Sequence, residues 1–441
     1  MMLHSISIVF IAFAVFLPTL KAEDQWSFLV LADWHGAESF AVYPGSNSDI
    51  YSSHLQTIRH IKRTYGNDEF DLVVLPGDSN TGKWDEQEFN DKLDSSLLPQ
   101  EAILQAGRNC YGTMKDLFSE GGFGTMLMAL GDHEIGGNRW VGGSMKVDSL
   151  PIFRQGFIEK FNLDQDGNFL FDGKIGEESS RPLGTVFENT SFAMKHKNAL
   201  FVTVDAFEQI DSPFIDRSDG VGGEGVVTCT VRGHHLTWFE NVLKEARKDD
   251  TIKHIFVQAH LPIVQPVRKV VCSGQFIDYG EDSEFWRIMN QYGVDVYLAG
   301  EVHANTATKS NDSNLVQIVS RGNMFNNFIK VEVNDDVINI KSYNEIGDAR
   351  KWNNNYELQG QLTIDKMSSS TSISSSGSLE LLQRDVELVH LSFEEMVPLK
   401  DRQVLGMVHD QISEKMIGDS ITMRNIKCHD SIPNHGVFGR K

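Results

Sequence analysis

The sequence is short of positive charge: 40 Lys and Arg stand against 61 Asp and Glu, a formal net charge of −21. A dedicated nucleic-acid binder needs Lys and Arg to displace counterions from phosphates, so this balance argues against one. It argues equally against docking on an anionic membrane face, and it suits the surface of a soluble protein. Cysteine is scarce too. No two of Cys110, Cys229, Cys272 and Cys428 have the close spacing of a zinc knuckle or a redox pair. No Gly-rich phosphate loop, serine-nucleophile elbow or Cys-His pair appears in a convincing context, and there is no internal repeat. Apolar residues are plentiful at 40%, enough for a sizeable core, which excludes a wholly disordered or collagen-like chain.

The one long apolar run, Ile6 to Leu20, has the length of a signal-peptide core and is too short for a comfortable membrane span. Ala22 is a plausible cleavage point, although no Lys or Arg precedes the run. Residues 1–22 are therefore expected to be a cleaved signal. The C-terminal Gly436 to Lys441 is neither an apolar anchor signal nor a retention tetrapeptide, so a secreted or lumenal protein without a membrane anchor is expected. In that compartment one or two disulfides are expected, Cys229 with Cys272 first, while Cys110 and Cys428 are as readily buried thiols. Asn189-Thr190-Ser191 and Asn311-Asp312-Ser313 are acceptor sequons for N-glycosylation.

Trp26 to Leu31, Phe70 to Leu75, Met126 to Leu130, Ile255 to Ala259 and Val294 to Ala299 read as buried strands. Leu55, Ile58 and Ile61 mark one helical stripe, and Leu236, Phe239, Val242, Leu243 and Ala246 mark another. Strands dominate from Leu315 to about Tyr343. Buried strands joined by helices imply an α/β fold whose sheet is covered on both faces. Residues 145 to 190, rich in Gly, Asp, Asn and Glu, read as an insertion or long loop. The main domain is expected over 24–345, a flexible Ser-rich linker over 366–380, and a tail of uncertain order over 381–441.

Five short motifs close those strands: Asp33-Trp34-His35, Gly77-Asp78, Gly131-Asp132-His133-Glu134, Gln258-Ala259-His260 and Gly300-Glu301-Val302-His303. Ligands of covered α/β sheets bind outside the carboxyl ends of the strands, and carboxylates with imidazoles gathered there suit Fe, Mn or Zn. Arg139, just beyond the third motif, is a candidate for a substrate phosphate. His54, His60, His196, His234, His235 and His254 read as surface or satisfied residues, and Trp34 as a cleft wall or core residue.

In the order and placing of these motifs the sequence resembles the calcineurin-like metallophosphoesterase superfamily, over about residues 26 to 345. The resemblance extends to Leu236-Thr237-Trp238-Phe239-Glu240 and to His260-Leu261-Pro262. It implies a layered αββα fold with two mixed β-sheets flanked by helices, two metal ions, and hydrolysis of a small phosphorylated substrate, monoester or diester. By the same resemblance Asp33, His35 and His303 would hold one ion. Asp78 would bridge both, Asp132, His260 and Glu301 would hold the second, and His133 would serve the leaving group as general acid or stabiliser.

Two positions depart from the family pattern: Asp132 stands for its Asn, and Glu301 for the first His of its last motif. Thr81 also stands where the iron-containing acid phosphatases carry Tyr, which disfavours that branch. Four carboxylates, Asp33, Asp78, Asp132 and Glu301, then place −4 around two divalent ions at +4. At an effective dielectric of 20 one unit-charge pair at 4 Å is worth about 4 kcal/mol, so the change is large. A trivalent ion, a preference for less charged diesters, or a weakened enzyme each resolves it. The alternative function is a non-catalytic metal or phosphate binder on the same fold, and a metal-free structural glycoprotein comes third.

Overall fold

Apolar runs of four or five residues bounded by Gly, Pro or polar residues become the central strands, as their length and β-forming side chains dictate. The computed structural model describes residues 25–35, 49–66, 69–80, 82, 93–210, 225–269, 275–311, 313–346, 355–367 and 370–383, with short strand segments at 390–392, 416–417 and 420–422. Two seven-stranded sheets form the centre. In chain order their strands are β1 (Trp26–Val30), β2 (Leu72–Leu75), β3 (Thr125–Met128), β4 (Phe192–His196), β5 (Ala199–Thr203), β6 (His254–Gln258) and β7 (Val296–Ala299). They continue with β8 (Thr306–Lys309), β9 (Val316–Val319), β10 (Asn327–Val333), β11 (Val337–Glu345), β12 (Tyr356–Asp365), β13 (Ser372–Gly377) and β14 (Leu381–Gln383).

The first sheet runs β13-β12-β11-β10-β1-β2-β3 and the second β14-β8-β9-β7-β6-β5-β4. Strands β1, β2 and β3 are parallel, as are β5, β6, β7 and β9, whereas β10 to β13 pair antiparallel. Both sheets are therefore mixed, as expected. The parallel strands are buried along their whole length in β1, β2, β6 and β7, which is why they read as continuous apolar runs.

Alternation along β1 sends Phe28 and Val30 into the core between the sheets and Leu29 and Leu31 into the core under the helices. Phe28 meets Phe201 of β5 and Phe256 of β6 edge-on, each with ring centroids 5.1 Å apart. Each fully buried ring of this kind contributes about 1.5–3 kcal/mol. Helix α1 (Asp49–Tyr65) lies on the outer face of the first sheet, with Ile58 and Ile61 buried and Tyr65 against Phe328 of β10. Beside it α2 (Pro99–Glu120) buries Ala102, Ile103, Ala106, Cys110, Met114 and Leu117. Helix α3 (Leu150–Phe157) packs on α2, where Phe157 meets Tyr111. The second sheet is covered by α4 (Gly233–Ala246) and α5 (Glu284–Gln291), joined through Phe239 and Phe285.

Three features differ from the sequence reading. The Ser-rich stretch expected as a flexible linker over 366–380 contains β13, the outer strand of the first sheet, registered residue by residue against β12. Serine on an exposed edge strand needs no apolar alternation, so composition alone hid the pairing. The main domain accordingly runs past 345, since β14 joins the second sheet beside β8. Of the two readings of residues 145 to 190, an insertion or a long loop, the long loop fails, because α3 and the turn after it bury Leu150, Phe153, Phe157 and Phe161. Residues 1–22, expected as a signal, Cys272, Cys428 and most of the tail beyond 383 lie outside the described residues.

Candidate metal centre

Each of the five motifs begins where a parallel strand ends. The backbones of the first two hold each other: Asp33 N donates to Gly77 O at 3.2 Å, and Trp34 N to Asp78 O at 2.7 Å. From the second sheet, Glu301 N donates to Asp33 Oδ1 at 2.9 Å. Among the described residues eight non-glycine positions have positive φ, and five of them are Asp33, His35, Asp78, Glu301 and His303. Such backbone costs about 1–3 kcal/mol per residue and persists only where the surroundings enforce it, typically at functional sites. Two glycines show how tightly the carboxylates are seated. A Cβ on Gly131 would lie 2.2 Å from Asp78 Oδ1, and one on Gly300 would lie 2.5 Å from Asp33 Oδ2.

All eight residues singled out in the sequence come together at this edge, in three overlapping groups that could hold metal: Asp33, His35 and His303; His35, Asp78 and His133; and Asp78, Asp132, His260 and Glu301. Asp78 Oδ2 stands between His35 Nε2 at 3.3 Å and His260 Nε2 at 3.2 Å, and Asp78 belongs to two of the three groups. His303 Nε2 lies 3.3 Å from Asp33 Oδ1 and 3.2 Å from His35 Nε2. His133 is more open, its Nε2 3.9 Å from Asp78 Oδ2 and from Asp132 Oδ2.

The donor set fits cations. His260 Nδ1 faces the Pro76 carbonyl at 2.7 Å, and since a carbonyl only accepts, Nδ1 carries the hydrogen. That turns Nε2 toward three carboxylate oxygens, of Glu301 at 3.1 Å, Asp78 at 3.2 Å and Asp132 at 3.5 Å. One proton on Nε2 cannot serve three acceptors equally, whereas a cation among them can. Asp33 Oδ2 is likewise buried with no hydrogen-bond donor among the described residues.

In the chain alone, protons respond to this crowding. Burial, reinforced by Asp132, holds Asp78 well above the ordinary carboxylate range against the pull of His260 and His133. Burial also opposes ionisation of Asp132, but His133 and His260 outweigh it and lower its pKa. Burial disfavours a charged His260, yet Asp78, Asp132 and Glu301 raise it well above the usual imidazole value.

Glu134, quoted within the third motif but given no role from sequence, organises the loop that presents Asp78. Fully buried, it accepts from Gly131 N (2.7 Å), Asp78 N (2.8 Å), Ser79 N (2.9 Å), Ser79 Oγ (2.8 Å) and Asn80 N (3.3 Å). Its place one residue beyond the Asp-His pair is the signal that could have found it.

The remaining candidates are not members of these three groups. Arg139 is exposed on the loop after the third motif, and Trp34 is a core residue packed edge-on against Phe118. His196 pairs with Asp71, and His254 Nε2 bonds Asn334 O at 2.7 Å. His60 stacks on Tyr356, His235 stacks on Phe187, and His234 is exposed. The side chain of His54 and the whole of Thr81 lie outside the described residues.

A mixed two-sheet α/β sandwich with carboxylates and imidazoles converging at its strand ends defines the layered fold of the metal-dependent phosphoesterases. The calcineurin-like phosphoesterase family model matches residues 27–305, more than half of the chain, and the chain belongs to that family. No curated protein matches it in sequence. Among solved structures it is similar to the purple acid phosphatase PPD1 from seeds of yellow lupin (Lupinus luteus), at 12% identity and a TM-score of 0.44, covering 78% of this chain and 54% of that one. The chain thus spans about half the length of the lupin protein. PhoD is similar at 13% identity and a TM-score of 0.46, covering 81% of this chain and 73% of that one. GAP50, described as the anchor in the inner membrane complex of Plasmodium, matches at 14% identity and a TM-score of 0.39, covering 74% of this chain and 86% of that one.

Proposed function

We propose that this protein hydrolyses a phosphate ester, mono- or diester, with two metal ions of the Fe, Mn or Zn type, and that it is exported from the cytosol. The observation that carries the first part is His260, whose Nε2 is aimed at three carboxylate oxygens within 3.5 Å with its other nitrogen already committed to Pro76. Asp33, His35 and His303 would hold one ion, Asp132, His260 and Glu301 the other, and Asp78 would be shared. A bound pair of this kind supplies Lewis acidity to both the attacking and the leaving oxygen of an in-line displacement. Asp33 keeps Glu301 in place through the backbone N–H at 2.9 Å. Glu134 holds the Asp78 loop rigid. His133, at the open side of the cluster, donates a proton to the leaving oxygen or stabilises its charge.

Elemental analysis of the purified protein, with assays on aryl phosphate monoesters and diesters under added Mn²⁺, Fe or Zn²⁺, tests this reading. Asp78→Ala removes the shared oxygens, so both ions should weaken together. A variant that keeps full metal content and full hydrolysis overturns the bridge. Export rests on the apolar run Ile6 to Leu20 and the two sequons. Mass spectrometry of secreted protein should give an N-terminus near Glu23 and at least one disulfide, and an intact Met1 with four free thiols overturns it.

A further inference from the structure

We propose that Lys269 is a phosphate-binding residue of this site, the cation that offsets the extra carboxylates Asp132 and Glu301 and meets an oxygen of the bound phosphate. The proposal rests on the phosphoesterase reading and assigns the part of that site which fixes its preference among phosphate esters. Four carboxylates around two divalent ions would leave no net positive charge to attract a phosphate dianion, and a cation of the chain beside them would restore it.

The loop that leaves β6 through His260 is pinned along its course. Ile263 N and Val264 N donate to Gln317 Oε1 at 2.6 and 2.9 Å, Thr308 Oγ1 donates to Pro266 O at 2.8 Å, and Arg268 N donates to Thr306 Oγ1 at 3.0 Å. These bonds, all to the β8–β9 hairpin, leave Lys269 little freedom of backbone. On the return limb Gln275 N points at Glu301 Oε1, 3.4 Å away, and the next residue, Phe276, is buried. Lys269 Nζ rests on the Phe276 ring, 4.8 Å from its centroid, one residue from the group that touches Glu301. The side chain is half-buried, and only the more distant Glu301 carboxylate acts on its charge. A cation on an aromatic face keeps its charge available, because the ring quadrupole stabilises it without supplying a counter-anion. The electrostatics agree: burial lowers the Lys269 pKa, and the Glu301 carboxylate is the group that raises it back.

The test compares Lys269→Met, which keeps the alkyl stem on Phe276, with Lys269→Arg, which keeps the charge. Calorimetry of inorganic phosphate binding to the Mn²⁺-loaded protein should show Lys269→Met weaker by about tenfold, the effect of one charge-assisted hydrogen bond, and Lys269→Arg close to the natural chain. The same Met variant should bind Mn²⁺ tighter, because a positive neighbour of Glu301 is gone. Its KM should rise more for an aryl phosphate monoester, a dianion, than for a diester. A loop-bracing role alone would move metal and phosphate affinity in the same direction. Unchanged phosphate affinity in Lys269→Met, or a parallel loss of both affinities, overturns the assignment while the metal site stands. A natural chain that takes up neither Mn²⁺ nor phosphate overturns the phosphoesterase reading together with it.

Discussion

At the scale of single residues, the site is held by carboxylates with different duties. Asp33, Asp78, Asp132 and Glu301 face the imidazoles, whereas Glu134 faces backbone: three consecutive amides, at 78, 79 and 80, and that of Gly131 converge on it. A side chain that only accepts suits a nest of donors, so the chemistry of Glu134 is not interchangeable with that of its amide. Glu134→Gln keeps the shape but turns an NH₂ group toward backbone N–H groups. It should lower the stability of the metal-free protein by about 3 kcal/mol, the scale of one or two charge-assisted hydrogen bonds. By loosening Asp78 it should also weaken metal binding about 10- to 100-fold, as groups that orient ligands commonly do. Urea denaturation and calorimetry with Mn²⁺ measure the two effects. Unchanged metal affinity in this variant would show that the Asp78 loop holds its shape without Glu134. The positive φ values of the candidate ligands belong to the same design, because a chain leaving a strand must turn sharply to aim its side chain back across the sheet edge.

At the scale of elements, helix α4 carries a buried histidine with no catalytic neighbour. His235 is 2% exposed, stacks on Phe187 at 4.3 Å, and has no hydrogen-bond partner at either nitrogen among the described residues. Burial pushes its pKa down from 6.5 to about 4, only partly opposed by Asp205. The folded state therefore resists a proton that the unfolded chain accepts below 6.5. Stability is full above that pH and declines as pH falls toward 4, by about 3 kcal/mol in total for a shift of this size. His235→Phe should flatten that part of the difference between pH 6.5 and 4, as read by chemical denaturation at several pH values. Equal pH slopes in the two proteins would mean that His235 titrates normally. The helical stripe Phe239, Val242, Leu243 and Ala246 was legible in the sequence because large apolar residues recur at three and four. The parallel strands were legible because burial on both faces leaves no polar interruption. Helix α2 gave no such signal: its buried side includes Ala102, Ala106 and Cys110, small residues that do not stand out against Gln105, Arg108 and Asn109. Strand β13 was hidden for the opposite reason, since an edge exposed to water can be built from serine. The candidate ligands could be read from strand-end motifs, whereas Lys269 could not, because only the folded chain sets it against Phe276.

At the scale of the whole molecule, the candidate centre lies across the seam between the sheets. Asp33, His35, Asp78, Asp132 and His133 follow β1, β2 and β3 of the first sheet, and His260, Glu301 and His303 follow β6 and β7 of the second. Ions bound there would tie the two halves together and stabilise the native state by mass action, about 4 kcal/mol at a thousandfold excess over Kd. Thermal melts should therefore rise with Mn²⁺ and fall with a chelator, and Asp78→Ala should lose that dependence; a melting temperature indifferent to both treatments in the natural chain would count against the centre. The same comparison reaches the charge balance. Asp132 and Glu301 would add two hard oxygen donors to a position shared with His260, so an ion bound there should be Mn²⁺ or Fe³⁺ in preference to Zn²⁺. Asp132→Asn with Glu301→His restores the family pattern and removes two negative charges. Each is worth about 4 kcal/mol against a charge 4 Å away at an effective dielectric of 20, before solvent and protein relaxation reduce it. The double variant should bind Zn²⁺ better relative to Mn²⁺ and bind inorganic phosphate more tightly under one metal at matched occupancy. If the natural chain already binds phosphate as tightly as the double variant, the carboxylates are neutralised inside the fold, and the Lys269→Met protein then becomes the one in which the two natural charges should matter.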